Sequence, residues 1–337
     1  MEIKTRLLTF ALLAGTALAG AAPQHDFYLC ANINRNYVIG SKIVTTNGVF
    51  KRDNAGEWKH LGYNDTSISA VAFDPRDEQV WYTAALNGCW RTLDGGKTWR
   101  MTNSWDMTEG RDVAVDLNAP DHVYLALPDG IAVSTDRAQT WVRKENGLPE
   151  RGKYTQALKI DRTQAGRALA GCETGIYLTE NGADSWRRVL PTKTTVDDIQ
   201  QSPHDPKLWL AVTESDGAWS SCDGGLTWTK LDTVPDDHPL YNVTFDFTNP
   251  QRYAIGSWGR GVWTSEDGGK TWTERNAGLP APHRVWRVGV DPDSGRLYAS
   301  VVGETLFSSD DFGRTWKRDA LEGSTVNAFV VVTKSEK

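Results

Sequence analysis

An all-β fold, a seven-bladed β-propeller of four-stranded antiparallel blades, is what this 337-residue sequence predicts. Three observations predict it. A phrase of about a dozen residues recurs, closing on Trp58, Trp99, Trp141, Trp186, Trp228, Trp272 and Trp316, with spacings of 41 to 45 residues. Two further strand-like runs precede each phrase, with no helical period between them. Finally, the last run, residues 325–332, has no unit of its own, while the first unit lacks its opening strand. A period of this length marks a repeat whose units bury their faces only by stacking on their neighbours.

Taken in order, the chain opens on Lys4 and Arg6, an apolar stretch from Leu7 to Leu18, and the small residues Ala17-Leu18-Ala19. This is the pattern of an export signal over 1–19, leaving 20–337 as one propeller domain in a secreted or periplasmic, extracytoplasmic setting. Cys30 is too far from the apolar stretch to be a lipid-anchored start, and no later segment reaches the roughly 18 apolar residues of a membrane span.

Within a unit, strands are lettered A to D from the axis outward. Strand A is read in Ala70-Val-Ala-Phe-Asp74 and in Val113-Ala-Val-Asp116, Leu158-Lys-Ile-Asp161, Val243-Thr-Phe-Asp246 and Val288-Gly-Val-Asp291. Strand B follows in Val80-Trp-Tyr-Thr-Ala84, Val123-Tyr-Leu-Ala126, Leu208-Trp-Leu-Ala-Val212 and Leu297-Tyr-Ala-Ser300. Strand C and the start of D are the phrase itself, clearest in Gly88 to Trp99, Gly217 to Trp228 and Gly261 to Trp272. Gly130 to Trp141, Gly175 to Trp186 (with Asn181 for the aspartate), Thr305 to Trp316 and the short Gly48 to Trp58 are weaker copies. The aspartate accepts hydrogen bonds from its own turn, the glycines allow positive φ, and the tryptophan fills the space beside it. Residues 325–332 are then a strand A that completes the N-terminal blade and closes the ring, with 33–47 as a B–C insertion.

The phrase resembles the Asp-box, or BNR repeat, of sialidase-like and sortilin-like propellers, over nearly the whole mature chain. That resemblance implies that the C–D turns lie opposite the D–A and B–C loops, and that those loops bind ligand. The Phe/Tyr-Arg-Ile-Pro motif of the sialidases is absent, as is the N-terminal Asp-Ile-Gly-Gly motif of the xyloglucan-degrading hydrolases, which pair two such domains. A single propeller of this kind also occurs in a photosystem II assembly factor that binds protein.

Composition narrows the partners. A net charge of −6 without Lys/Arg clusters argues against nucleic acid. Four cysteines, Cys30, Cys89, Cys172 and Cys222, leave three complete pairings open, and their spacings match no zinc site. No cofactor or metal is expected, and the chain is expected to be a monomer.

Whatever recurs in every unit serves the unit, so the phrase aspartates and tryptophans are structural, as are Trp90, Trp219 and Trp263 on strand C and Trp81 and Trp209 on strand B. The informative positions are those that diverge. Five residues before the strand A aspartate, or before Ser202 in its place, stand Ser69, Arg111, Gln156, Asp197, Tyr241 and Trp286, with Asn327 in the last strand. Strand alternation places them on the face of the Val, Leu, Ile and Phe that follow two and four residues later, around one mouth of the central channel. The neighbouring loops add Trp105, Asp106, Glu109, His283 and Arg284, and Glu173, Asp216, Trp258, Arg260 and Glu304. Trp105, Trp258 and Trp286 are the tryptophans that the repeat does not explain. Indole beside carboxylate and arginine suits a sugar, whose C–H face stacks while its hydroxyls hydrogen-bond. The ligand-binding set expected is Trp105, Arg111, Gln156, Asp197, Tyr241, Trp258, Arg260, Arg284 and Trp286. Glu109, Glu173, Asp197, Asp216 and Glu304 are the candidates for a carboxylate pair in glycoside hydrolysis. A carbohydrate-active or carbohydrate-binding propeller is one reading, and a non-catalytic protein-binding or assembly scaffold the other.

Overall fold

The computed structural model describes residues 25–33 and 45–334. The expected export signal, and all of the expected insertion except Ile33 and Thr45 to Asn47, lie outside the described residues. Among these residues there are 28 strands and no helices.

The chain begins with β1 (His25–Asn32), β2 (Gly48–Arg52) and β3 (Trp58–Leu61). Four complete meanders follow. They are β4 (Ala70–Phe73), β5 (Trp81–Ala85), β6 (Gly88–Thr92) and β7 (Arg100–Met101); then β8 (Asp112–Val115), β9 (Val123–Leu127), β10 (Gly130–Ser134) and β11 (Val142–Arg143). The next two are β12 (Thr155–Ile160), β13 (Ala168–Cys172), β14 (Gly175–Thr179) and β15 (Arg187–Pro191), and β16 (Val196–Gln201), β17 (Trp209–Thr213), β18 (Ala218–Ser221) and β19 (Thr229–Lys230). The remainder comprises β20 (Leu240–Phe245), β21 (Tyr253–Gly259), β22 (Gly261–Ser265), β23 (Thr273–Glu274), β24 (His283–Val290), β25 (Leu297–Val301), β26 (Leu306–Ser309), β27 (Lys317–Ala320) and β28 (Thr325–Thr333).

Seven separate four-stranded blades, the expectation from the period, are not what forms. Five sheets are four-stranded blades, and β20 to β27 make one larger, eight-stranded sheet. The cause is local: β21 runs on to Gly259 and β24 begins early at His283, so Trp258 pairs with Arg284 and Gly259 with His283. This short ladder fuses what the spacing of Trp272 and Trp316 reads as two units. β28 pairs with β1 from His25↔Thr333 to Asn32↔Thr325, bringing the two ends of the described chain into one sheet. The inner strands β4, β8, β12, β16, β20, β24 and β28 touch in a closed cycle around the axis.

The second strands β5, β9, β13, β17 and β25 are buried along their whole length, which is why they read as continuous apolar and aromatic runs rather than alternating ones. Trp81 and Trp209 are fully enclosed, Trp90 and Trp219 are partly buried against the same clusters, and Trp263 packs on the cluster of Phe245 and Tyr253. The outer strands are often only two residues long, which leaves little unpaired edge for another chain to extend. All four cysteines are free thiols: Cys30, Cys89 and Cys172 are buried as small apolar side chains, and Cys222 is exposed.

The recurring turns are built alike. Asp94 accepts from the Thr98 amide at 2.8 Å and hydroxyl at 2.6 Å, and the Thr92 hydroxyl takes the Gly96 amide at 2.9 Å. Asp136, Asp223, Asp267 and Asp311 repeat the arrangement, with Asn181 as an uncharged version. Each turn has two successive residues at positive φ, including non-glycines at Arg137, Ala138, Ala183 and Phe312. The closing indoles divide into two groups. Trp99, Trp228 and Trp272 donate to the carbonyl of a glycine in their own turn. Trp141, Trp186 and Trp316 instead donate to Thr102 Oγ1, Lys144 O and Arg275 O of the preceding unit.

Candidate functional site

The diverging positions of the inner strands share a backbone device. Each of Gln156, Asp197, Tyr241, Trp286 and Asn327 is the residue skipped where the register of its strand shifts against the neighbour: Val196 faces Thr213 and Asp198 faces Val212, for example, leaving Asp197 over. Such a β-bulge breaks the alternation and re-aims the extra side chain. Strand alternation, which the sequence expectation relied on, therefore does not set the direction of these side chains. Val113, Leu158, Val243 and Val288 are buried in the apolar clusters between sheets, and it is the bulge that separates the diverging residues from that face. Ser69 and Arg111 stand just before β4 and β8, where their amides bond to Ala84 O and Ala126 O, each at 2.9 Å.

The bulges gather two groups at the starts of the inner strands. In the first, Tyr241 lies between Trp286 and Trp258, with ring centroids 4.3 Å and 5.9 Å apart. The Arg284 guanidinium covers Trp258 at 5.7 Å and that of Arg287 covers Trp286 at 4.6 Å. The ladder that fuses the eight-stranded sheet also sets Trp258 opposite Arg284, so the seam and the aromatic group have one origin. In the second group, the Arg111 guanidinium lies 5.3 Å from the Tyr154 ring, and Tyr154 donates to Gln156 Oε1 at 2.7 Å.

Asp197 joins the groups electrostatically. Burial, the largest influence, pushes its carboxyl up to about 8; Arg287 opposes this, while Glu214 and Asp198 add to it. Tyr241 is likewise raised, first by burial and then by Asp197 and Glu214. The charges just inside the channel are already matched. Lys159 bonds Asp112 at 3.0 Å, and Asp198 is raised by burial against the opposing pull of Lys159 and Arg287. Arg287 donates to Asn327 O at 2.9 Å and to Tyr241 O and Trp286 O at 3.0 Å, lacing three inner strands together at this end.

The remaining expected residues scatter. Glu109 is exposed and pairs with Arg111 at 3.3 Å. Glu173 is exposed, with its amide on Tyr154 O at 2.9 Å. Asp216 is buried and accepts from the Lys193 amide at 3.1 Å, which marks it as a turn carboxylate. Arg260 faces Asp237 at 3.4 Å and Glu274 at 3.9 Å, outside the aromatic group. Asp106 bonds Ser104 at 2.5 Å within its own loop. Trp105 is 89% exposed and has no ring partner among the described residues. Glu304 takes the Gly323 amide on its backbone carbonyl. Sequence reasoning missed Glu214, Tyr154 and Arg287. Glu214 was within reach: it follows the end of β17 as Glu173 follows β13, and both strand ends pair with the residue before a bulge. Arg287 was not, because only the bulge brings two successive residues of β24 to the mouth.

A cavity of about 1290 Å3 occupies the channel, and none of the diverging residues lines it. It lies below them, with Asp112, Lys159, Gln200 and Asn242 among its walls, and extends to Asp26, Glu78, Phe247 and Lys334 at the other ends of the inner strands. Among the described residues, no group of three or more His, Cys, Asp or Glu could hold a metal ion. No helix among them is long and apolar enough to cross a membrane.

Comparison with known proteins places this geometry among propellers. No family model matches the chain. It is 23% identical over 277 residues to the xyloglucanase Xgh74A of Acetivibrio thermocellus, covering 76% of this chain and 26% of that protein. The chain thus spans about a quarter of the length of that curated relative. Among solved structures, the GH74 xyloglucanase from Xanthomonas campestris superposes with a TM-score of 0.63 at 18% identity, over 82% of this chain and 50% of that one. YCF48 bound to D1 peptide superposes with a TM-score of 0.56 at 19% identity, over 75% of this chain and 82% of that one. At these identities the likeness shows the propeller fold alone.

Proposed function

We propose that the chain is an extracytoplasmic carbohydrate-binding or carbohydrate-active propeller that engages glycan at the bulge-built mouth. The observation that carries this reading is the contiguous Tyr241, Trp258 and Trp286 group with Asp197 beside it. Aromatic faces offer a platform for the apolar face of a sugar ring, and a carboxyl and a guanidinium supply hydrogen bonds at its edge. The likeness to xyloglucanases makes a β-glucan with xylose branches the first glycan to try. The Asp-box resemblance and the 1–19 export signal belong to the same proposal.

The double variant Tyr241→Ala/Trp286→Ala tests it. Losing two stacking surfaces, each worth ~0.5–1.5 kcal/mol, weakens binding of a xyloglucan oligosaccharide about tenfold or more. The melting temperature stays within a few degrees, because both rings are only partly buried. Unchanged affinity in that variant rejects the mouth as the glycan site.

A protein-binding scaffold is the second reading, favoured by Trp105, which is 89% exposed on the loop leading to β8. The likeness to YCF48 bound to D1 peptide supports it. Failure of every glycan on an array, together with peptide binding that Trp105→Ala abolishes, selects the scaffold.

A further inference from the structure

We propose that Asp197 meets its ligand as a hydrogen-bond donor, in the carboxylic-acid form, so that this mouth selects a ligand acceptor oxygen and releases it in alkaline solution. The inference rests on the glycan reading for its ligand class, a hydroxyl, ring or glycosidic oxygen.

The geometry distinguishes the two successive carboxyls of β16. Asp198 is used fully as an acceptor: its Oδ1 takes the Ile199 backbone amide at 2.9 Å and the Gln200 side-chain Nε2 at 3.0 Å, and its Oδ2 takes the Val243 backbone amide at 3.2 Å. An oxygen set saturated by N–H donors favours the carboxylate form, and these donors with Lys159 and Arg287 oppose the burial that raises Asp198. Asp197, turned out by the bulge, has a buried Oδ2 with no partner. The groups facing it come from every surrounding element. Arg287 on β24 is the nearby cation and opposes the rise at Asp197, but its N–H groups go to three backbone carbonyls, and its charge is shared among Asp198, Asp197 and Asp112. Lys159 on β12 is bonded to Asp112 on β8. Glu214, after β17, and Asp198 on its own strand both push Asp197 up. Tyr241 on β20 and Tyr154 before β12 are phenols held above their usual range, the first cause in each being burial, so both stay neutral at mildly alkaline pH. Lys159 and Arg287 answer Asp112 and Asp198 inside the channel, and ionising Asp197 beside Glu214 would add a further carboxylate with no cation of its own in a desolvated place. Its proton is retained, and an unsatisfied buried carboxyl is completed by an oxygen that accepts.

The test is calorimetric titration of the full chain with a xyloglucan oligosaccharide from pH 6 to 10. Wild-type affinity is expected to be level to pH 7 and to fall about tenfold per unit above pH 8. Asp197→Asn, which keeps a neutral N–H donor, should bind with a level profile, and Asp197→Leu should lose about tenfold or more throughout. A level wild-type profile, or the same alkaline loss in Asp197→Asn, overturns the proposal. Carboxyl carbon NMR of the unliganded chain reads the proton separately: an Asp197 midpoint near 8 supports the inference, and one below 5 overturns it. Absence of oligosaccharide binding at every pH counts against the glycan reading, and the NMR midpoint then decides the Asp197 question by itself.

Discussion

Asp94 and Asp267 are lowered to about 2, each first by the hydroxyl and then by the amide of the threonine four residues on, Thr98 and Thr271. Asp136, Asp223 and Asp311 reach about 2 against opposing burial, through Thr140, Thr227 and Thr315. A carboxyl that ionises more readily in the folded chain stabilises it above its ordinary value of 3.8, and that contribution disappears as pH falls through about 2. Five turns act in the same sense, so the melting temperature should be nearly level from pH 7 to 5 and drop between pH 4 and 2. Asn181 already fills the same place, with its Oδ1 on the Ser185 amide at 3.0 Å, so Asp267→Asn should fold and show a shallower acid drop. Differential scanning calorimetry over this range decides the matter; a level wild-type curve down to pH 2 would show that the turns hold no such reserve.

Strands were legible wherever their two faces differ or are both buried, and ambiguous where a register shifts. The aromatic run at Trp81-Tyr82 and the phrase from Gly88 to Trp99 both announce β5 and β6, because burial selects those side chains directly. No residue type announces a bulge. The divergence at Asp197, Tyr241 and Trp286 was visible, yet the alternation rule assigned it to the wrong face, because one unpaired residue inverts the phase of everything before it. β24 and β28 show a second constraint that needs three dimensions to see. A methyl group on Gly289 would come within 2.4 Å of the Phe329 ring, which itself stacks on Phe27. Gly289→Ala should therefore loosen β28 and lower stability by ~1–3 kcal/mol. Urea unfolding of the variant measures this, and a midpoint equal to the wild type's would mean that the ring moves aside freely.

At the scale of the molecule, the period of the closing tryptophans carried the all-β propeller, because identical turns must recur wherever identical sheets stack. It did not carry the sheet count, since Trp258, Gly259, His283 and Arg284 form their ladder outside the repeating phrase. Nor did it carry the channel cavity, which opens between the inner strands once the ring is closed.

The unequal reach of the closing indoles bears on how such a wheel comes apart. Where Trp141, Trp186 and Trp316 bond backward, each rivets its unit to the one before; where Trp99, Trp228 and Trp272 bond inward, the indole adds no such link, and the joint rests on apolar packing with other contacts such as Arg167 to Gly224 O and His204 to Asp246 O. The joint ahead of β24 has both a rivet and the β21–β24 ladder, making it the stiffest sector, from which loosening is least expected to start. Amide exchange should spread first from the joints around β7 and β19 and last from β21 and β24. Equal protection at every joint would mean that the rivets bear no strain.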